Sequence, residues 1–345
     1  MTKNSKPTIY EVARKAGVSR QTVSRVINNR PDVAPATRQR IMKIIDELDY
    51  HPSAIARSLS QQRSYNFGLL TAGLEYMGPS TTLSGIAKKS EELNYGLYLK
   101  ELPSFNANNI HPLLEWFLAR QVDGIIWAVP EIGANRDWIK DSIEDIRVPI
   151  IFLTSAKREK ISIVTIDNYF GARQATQHLL DQGRKQIGHI SGPMDWWESR
   201  QRLKGWQDAL REAGIEPEER MVAEGNWSSK SGKQAFEKLQ ITFPEMDAVF
   251  SGNDQMALSI LQTACTENIK VPGDLAVVGF DGLPESAYFS PALTTIFQNT
   301  IELGCTAVRT LARMVEERDI EPSREPVYIT IKPDLIIRRS STPVE

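Results

Sequence analysis

Two groups of side chains in this 345-residue sequence have types and spacings suited to recognition chemistry. The first lies in SRQTVSRVIN, positions 19 to 28. On a helix with Arg20 at zero and about 100° per residue, Ser24, Asn28, Gln21 and Arg25 fall at roughly 40, 80, 100 and 140°. Val26, Val23 and Ile27 fall opposite, at about 240, 300 and 340°. Arginine can bond guanine O6 and N7 bidentately and glutamine can bond adenine N6 and N7. Serine, threonine and asparagine suit phosphates and base edges. The second group stands at or after the ends of apolar runs: Arg202 in GPMDWWESRQRLKGW, Asn253 after MDAVFSG, and Asp281 after LAVVGF. A guanidinium, an amide and a carboxylate make a donor–acceptor set for a polyhydroxylated ligand. Each has a plainer reading too: the arc as a solvated helix face, Asn253 and Asp281 as helix caps.

The elements that must position these groups decide between the readings. Ile9, Val12, Ala13 and Ala16 recur at helical spacing, Gly17 can supply a turn, and Ser19 can cap the next helix. Ile41, Ile44, Ile45 and Leu48 repeat the spacing in a third helix, with Pro35 near its start. The spacing of Ala13, Gly17 and Val23 provides a small residue at a helix crossing, a turn and a packing residue, as a helix-turn-helix requires. Charge agrees: residues 1–63 hold 12 Lys/Arg against 5 Asp/Glu, and the remainder holds 29 against 38. A basic head on an acidic body is the footprint of a nucleic-acid-binding module joined to something else. From about residue 66, the runs FGLLT, YGLYL, DGIIWA and PIIFL alternate with helical stretches. A second series, IVTI, IGHIS, MDAVFSG and LAVVGF, does the same. This predicts two doubly wound parallel lobes with a ligand cleft at the carboxyl ends of their strands.

Other classes are disfavoured. No apolar run approaches the ~18 residues of a membrane span. MTKNSKPT lacks the apolar core of a signal peptide, and Cys265 and Cys305 form no CxxC pair, which together fit a cytoplasmic protein. The four histidines do not cluster, so neither a metal nor another cofactor is expected. No phosphate-cradling glycine loop and no recognisable nucleophile arrangement supports the rival reading of a sugar-processing enzyme. A DNA-bound architectural protein without effector would leave the second group unexplained.

The segment TIYEVARKAGVSRQTVSRVINN…VAPATRQRIMKIIDELDYHPSAIARSL resembles the head of the lactose repressor/galactose repressor family of bacterial transcription regulators. SGNDQMAL, VVGFDG and PALTTI resemble that family's body, so the resemblance spans nearly the whole chain. It implies an α/β protein: an all-α helix-turn-helix head (7–50), a hinge helix (51–63), and a two-lobed, type I periplasmic-binding-protein-like body (64–345) with parallel sheets. The N-lobe is expected at 64–164 and 297–327 and the C-lobe at 165–296 and 328–345, with crossings near Val164, Phe297 and Val327. Thr8, Ser19, Arg20, Gln21, Thr22, Ser24, Arg25, Asn28, Thr37, Tyr50, Ser53 and Leu59 are expected on DNA. Leu59 takes the place of the family's wedge residue, which opens a base step in the minor groove. Tyr76, Arg202, Trp227, Asn253 and Asp281 are expected on the effector, with Glu75 beside Tyr76. Trp196 and Trp197 read equally as lid or as lobe packing. Ala34 departs from the family's usual Ser or Thr cap. Thr154, Ala128 and Thr300 replace an Asp, an Asn and a Phe near the sugar of the lactose repressor. The resemblance therefore implies a carbohydrate effector other than a simple galactoside, the aromatics favouring a glycoside over a purine. It also implies a homodimer on palindromic double-stranded operator DNA, because the chain ends RRSSTPVE without tetramer-forming heptads.

Overall fold

The computed structural model describes residues 7–27, 30–50, 63–105, 110–133, 135–139, 143, 146–317 and 325–342. Asn28, Ser53, Leu59 and all but the last residue of the expected hinge lie outside the described residues. The chain divides into two units, Met1–Tyr65 and Asn66–Glu345.

In the first unit α1 (Ile9–Ala16), α2 (Arg20–Ile27) and α3 (Pro35–Glu47) enclose a core built on Val12, Ala13, Ala16, Val23, Val26, Ile41 and Ile44. Thr8 and Glu11 form a reciprocal capping box on α1. Gly17 ends that helix at φ 63°, a left-handed conformation that glycine adopts without steric cost. Ser19 Oγ accepts the Thr22 N–H at 3.1 Å and so caps α2. Ala34, by contrast, gives α3 no side-chain cap, and Pro35 at the first turn starts it instead. A Lys15–Glu47 ion pair at 2.9 Å ties α1 to α3.

The body repeats one pattern twice. The first half runs β1 (Asn66–Ala72), α4 (Met77–Glu92), β2 (Gly96–Leu102), α5 (His111–Leu118), β3 (Gly124–Ala128), β4 (Ile150–Leu153) and β5 (Ser162–Ile166). The second runs α6 (Asn168–Asp181), β6 (Ile187–Ser191), α7 (Trp197–Glu212), β7 (Val222–Glu224), α8 (Ser229–Thr242), β8 (Ala248–Ser251), α9 (Asp254–Thr266), β9 (Ala276–Asp281) and β10 (Thr294–Phe297). Then come α10 (Thr300–Glu317), β11 (Tyr328–Ile331) and β12 (Asp334–Ile336). The sheets are ordered β11-β5-β4-β3-β1-β2 and β12-β10-β9-β8-β6-β7. Every pairing is parallel except β10 with β12. Strands such as Ile150–Leu153 are buried along their whole length because helices cover both faces of the sheet.

The chain passes to the C-lobe after β5, returns after β10, and passes again after β11. This corrects two expected boundaries. IVTI closes the first sheet rather than opening the second, and 328–331 belongs to the N-lobe, beside β5. The third crossing therefore falls at Lys332–Pro333 rather than near Val327. Two close helix contacts depend on glycine. A Cβ on Gly85 of α4 would lie 2.2 Å from the Ile301 carbonyl oxygen of α10, and one on Gly205 of α7 would lie 2.4 Å from that of Tyr169 on α6.

Candidate functional site

On the head, Arg20, Gln21 and Arg25 project from α2 into solvent, with Ser24 and Thr22 half-buried beside them. The buried face of the helix is Val23 and Val26, as the periodicity requires. Arg25 Nη1 lies 3.4 Å from Asp32 Oδ2, an exposed pair that water competes with and a phosphate or base edge can replace. Thr8 and Thr37 lie at or in the first turns of α1 and α3, where helix N-termini favour phosphate oxygens. Tyr50, also expected on DNA, packs its ring inward. Its ring is 9% exposed and completes the head's core, and burial pushes the phenol's pKa up. An apolar ring following α3 is more stable against Ile41 and Ile44 than in water.

In the body, nearly every polar group of interest follows the carboxyl end of a strand. Tyr76 comes after β1, Thr154 after β4, Trp196 after β6, Trp227 after β7, Asn253 after β8 and Gln298 after β10, while Asp281 ends β9. These residues, with Arg202 of α7, wall a single cavity between the lobes, with about 800 Å³ of empty space when its mouth is included. Met77, Ala128, Pro130, Leu153 and Leu303 give the N-lobe wall an apolar character. Thr154, Ala128 and Thr300 line the same cavity.

Arg202 is the fixed point of the C-lobe wall. Its Nε donates to Asn168 Oδ1 at 2.8 Å, its Nη1 donates to the Gly252 carbonyl, and its guanidinium lies 3.8 Å from the Phe280 ring centroid. Asp281 Oδ1 stands 3.6 Å from Nη1 and accepts from Gln298 Nε2 at 2.7 Å. Burial raises the Asp281 carboxyl to about 6, against the opposing pull of Arg202 and Gln298. Its neighbour Asp254 is raised to about 7 by burial and by the charge of Asp281, although Thr295 and the Leu283 N–H both donate to it. Asp281 at φ 110° and Trp227 at φ 73° hold backbone conformations that L-residues rarely adopt. With Thr154 at φ 49°, three such positions in one cavity wall are the pattern of a site where local strain is retained for function.

Asn253 takes the helix-cap part that its position allowed, and it also lines the cavity. Its Oδ1 caps α9 through the Met256 N–H at 2.9 Å, and its Nδ2 donates to the Trp227 carbonyl and to Gln255 Oε1, both at 2.9 Å. Both amide hydrogens are thus engaged within the protein, so Asn253 holds Trp227 and Gln255 in place, with only acceptor capacity left for a ligand. Trp196 stands at the mouth in a chain of rings drawn from both lobes. Its centroid is 5.7 Å from Trp227, 6.1 Å from Tyr76 and 5.0 Å from Phe105, all edge-on. Trp197 contributes its backbone, its N–H donating to the Glu131 carbonyl at 3.0 Å. With the Ile132–Trp196 bridge and Gly133 N–H on the Asp195 carbonyl at 3.1 Å, it clasps one lobe to the other. Glu75 lines the outer groove beside Tyr76 rather than the inner cavity.

Sequence reasoning missed Glu198, Gln255, Gln298 and Phe105. Glu198 is 7% exposed, lines the cavity, and has an Oε2 without a hydrogen-bond partner among the described residues. Its signal was its place four residues before Arg202, on the same face of one helix. Among the described residues, no cluster of His, Cys, Asp or Glu could hold a metal ion, and no helix is long and apolar enough to cross a membrane.

A helix-turn-helix head on a body with a walled interlobe cavity is the build of a ligand-responsive, DNA-binding transcription regulator. Residues 8–53 match the bacterial regulatory proteins of the lacI family and residues 176–341 match the periplasmic binding protein-like domain. Catabolite control protein A of Priestia megaterium is 32% identical over 92% of this chain and 95% of its own length. The HTH-type transcriptional regulator CelR of Thermobifida fusca is 33% identical over 99% and 100%. Among solved structures, the lac repressor dimer bound to operator and the anti-inducer ONPF has a TM-score of 0.83 at 28% identity, covering 98% of this chain and 99% of that one. A CelR–cellobiose complex has a TM-score of 0.70 at 30% identity, covering 97% and 99%. The chain belongs to the lacI family and is a sequence-specific DNA-binding transcriptional regulator.

Proposed function

We propose that the chain is a homodimeric repressor whose binding to a palindromic operator is relieved by a small carbohydrate bound between the lobes of the body. The observation that carries this reading is the composition of the cavity wall. Arg202, Asp281 and Gln298 offer donors and acceptors on one side, and the Trp196, Trp227 and Tyr76 rings flank them. Hydroxyl groups are matched by the first set and the C–H face of a pyranose by the second. In this reading Arg20, Gln21 and Arg25 read base edges while Thr8, Ser19, Thr22, Ser24 and Thr37 hold phosphates. Two heads are needed because one helix-turn-helix covers one half-site. Relatives lend support: a CelR structure holds cellobiose, and a lac repressor dimer sits on operator.

The test uses the full chain and an operator selected from a randomised duplex library. Fluorescence anisotropy would follow release of that duplex as neutral sugars, glycosides and purine bases are added in turn. Release by one or more sugars is the expected result. A response confined to the purines would overturn the carbohydrate reading, and phosphate or glycosidic products appearing on incubation would point to an enzyme.

A further inference from the structure

The cavity wall contains a carboxyl group that the protein itself uses only in part: the Glu198 backbone N–H bonds to it, and one oxygen is left over. Glu198 sits in the first turn of α7, more than nine-tenths buried, and its Oε2 meets no donor among the described residues. Arg202 does not neutralise it. That guanidinium is committed to Asn168, to the Gly252 carbonyl and to Asp281, and no ion pair joins it to Glu198. Arg136 and Glu131, whose charges also act on Glu198, belong to the N-lobe, and neither lines the cavity. Glu131 is spent on Arg158, Ser155 and the Ala156 N–H. A second unpartnered polar atom accompanies it: the Nε1 of Trp227, in a side chain that is itself 8% exposed.

We propose that Glu198 is a specificity-determining residue that accepts a hydrogen bond from a hydroxyl or ammonium group of the effector and excludes anionic sugars. This rests on the carbohydrate reading and narrows it to neutral or amino sugars, as opposed to sugar phosphates and sugar acids. The reasoning is electrostatic. Among the cavity-lining residues the acid–base groups with formal charge are Glu198, Asp281 and Arg202, and the single cation is already compensated. Above about pH 7, where Glu198 is ionised, a phosphate entering such a cavity meets a second carboxylate beside Asp281 and no lining cation free to pair with it, in a medium that screens poorly. A hydroxyl, in contrast, is donor and acceptor at once, and it supplies what Glu198 Oε2 and Trp227 Nε1 each lack.

Thermal shift and calorimetry on the full chain at about pH 8, where Glu198 is ionised, would test this with a panel of neutral glucosides and galactosides, from glucose to cellobiose. Each is paired with its 6-phosphate and its 2-amino-2-deoxy counterpart. The expected result is that a neutral or amino sugar binds at least about tenfold more tightly than its phosphate, the scale of one charged hydrogen bond. Glu198→Gln, which keeps the shape and loses the charge, should shrink that gap to about threefold or less, and Glu198→Ala should weaken the neutral sugar about tenfold or more. Near-UV circular dichroism checks the fold of each variant, and if both fail to fold, the wild-type pairs alone decide. A phosphate that outbinds its neutral parent overturns the inference and leaves the carbohydrate reading standing. So does a gap that Glu198→Gln leaves unchanged. Absence of binding by every member of the panel overturns both.

Discussion

Glu198 and Gly192 show how single residues set the cavity. Burial pushes the Glu198 carboxyl up to about 7 from an ordinary 4.5, with Arg202 and Arg136 pulling it down and Glu131 adding to the rise. The folded protein therefore holds a proton that the unfolded chain releases near pH 4.5, and stability contributed here falls as pH rises from about 4.5 to about 7. His189, pushed down to about 4 by burial, acts in the opposite sense, because the unfolded chain takes up its proton below 6.5. Only the difference between wild type and Glu198→Gln isolates the carboxyl. Without ligand, urea unfolding should find the two alike near about pH 5 and the Gln variant more stable by on the order of 1–3 kcal/mol near about pH 8. A difference that does not vary with pH would mean that Glu198 is ionised in the folded state throughout. Gly192 matters for what it leaves out. A Cβ there would lie 2.1 Å from the Trp227 indole, so Gly192→Ala should displace that ring. Ligand affinity measured by calorimetry should fall about tenfold or more, with the loss of an aromatic contact and its oriented N–H. Arg202 and Asp281 were legible in the sequence because both keep to strand ends or to the helix that follows one. Glu198 was not, since a Glu four residues before an Arg reads first as an exposed helical ion pair, and only the fold buries it.

At the scale of elements, α2 and the α4–α10 pair make separable predictions. The polar arc of α2 was legible from period alone, because Val23 and Val26 have to face α1 and α3 and so leave Gln21 and Arg25 outward. Gln21→Ala should change base preference across a randomised operator library by about 1–3 kcal/mol at one position, with little effect on non-specific duplex affinity. An unchanged preference removes Gln21 from the reading set. In the N-lobe, α4 and α10 touch backbone to backbone at Gly85 and Gly304, where a Cβ would meet the Ile301 and Thr82 carbonyl oxygens at 2.2 and 2.3 Å. Gly85→Ala should lower the urea midpoint by the equivalent of about 1–3 kcal/mol, since backbone cannot move aside as a flexible side chain would. The central strands were readable as apolar runs. β11 was placed in the wrong lobe because YITI alternates between exposed and half-buried, and nothing in such an edge strand names its sheet. Only its pairing with β5 does, through contacts some 165 residues apart in sequence. Tyr50 is ambiguous for a related reason: a tyrosine ring can pack in a core while its hydroxyl serves a phosphate, and the residue type alone does not separate the two.

At the scale of the whole molecule, the cavity, the clasp and the head have to be connected by free energy. Cavity-lining groups come from both lobes, and the clasp of Ile132–Trp196 and Trp197–Glu131 lies at the cavity's edge, with Trp196 belonging to both. In the proposed reading, a sugar held by Arg202 and Asp281 on one side and by Tyr76 on the other favours whichever lobe arrangement lets all of them reach it. It can shift operator affinity only by its differential affinity for the two arrangements, however tightly it binds. Binding linkage is reciprocal: if the sugar lowers operator affinity by some factor, operator must lower sugar affinity by the same factor, typically about 5- to 150-fold. The measurement is a pair of calorimetric titrations with the releasing sugar, on the full chain alone and on the chain saturated with its operator duplex. The ratio of the two dissociation constants should equal the ratio from duplex anisotropy with and without sugar. Asp281→Ala should bring both ratios toward one together, because it removes a contact on which the preference rests. If the duplex is released while sugar affinity is indifferent to operator, the sugar does not act through a shared equilibrium between the cavity and the head, and direct competition for the duplex becomes the explanation to pursue.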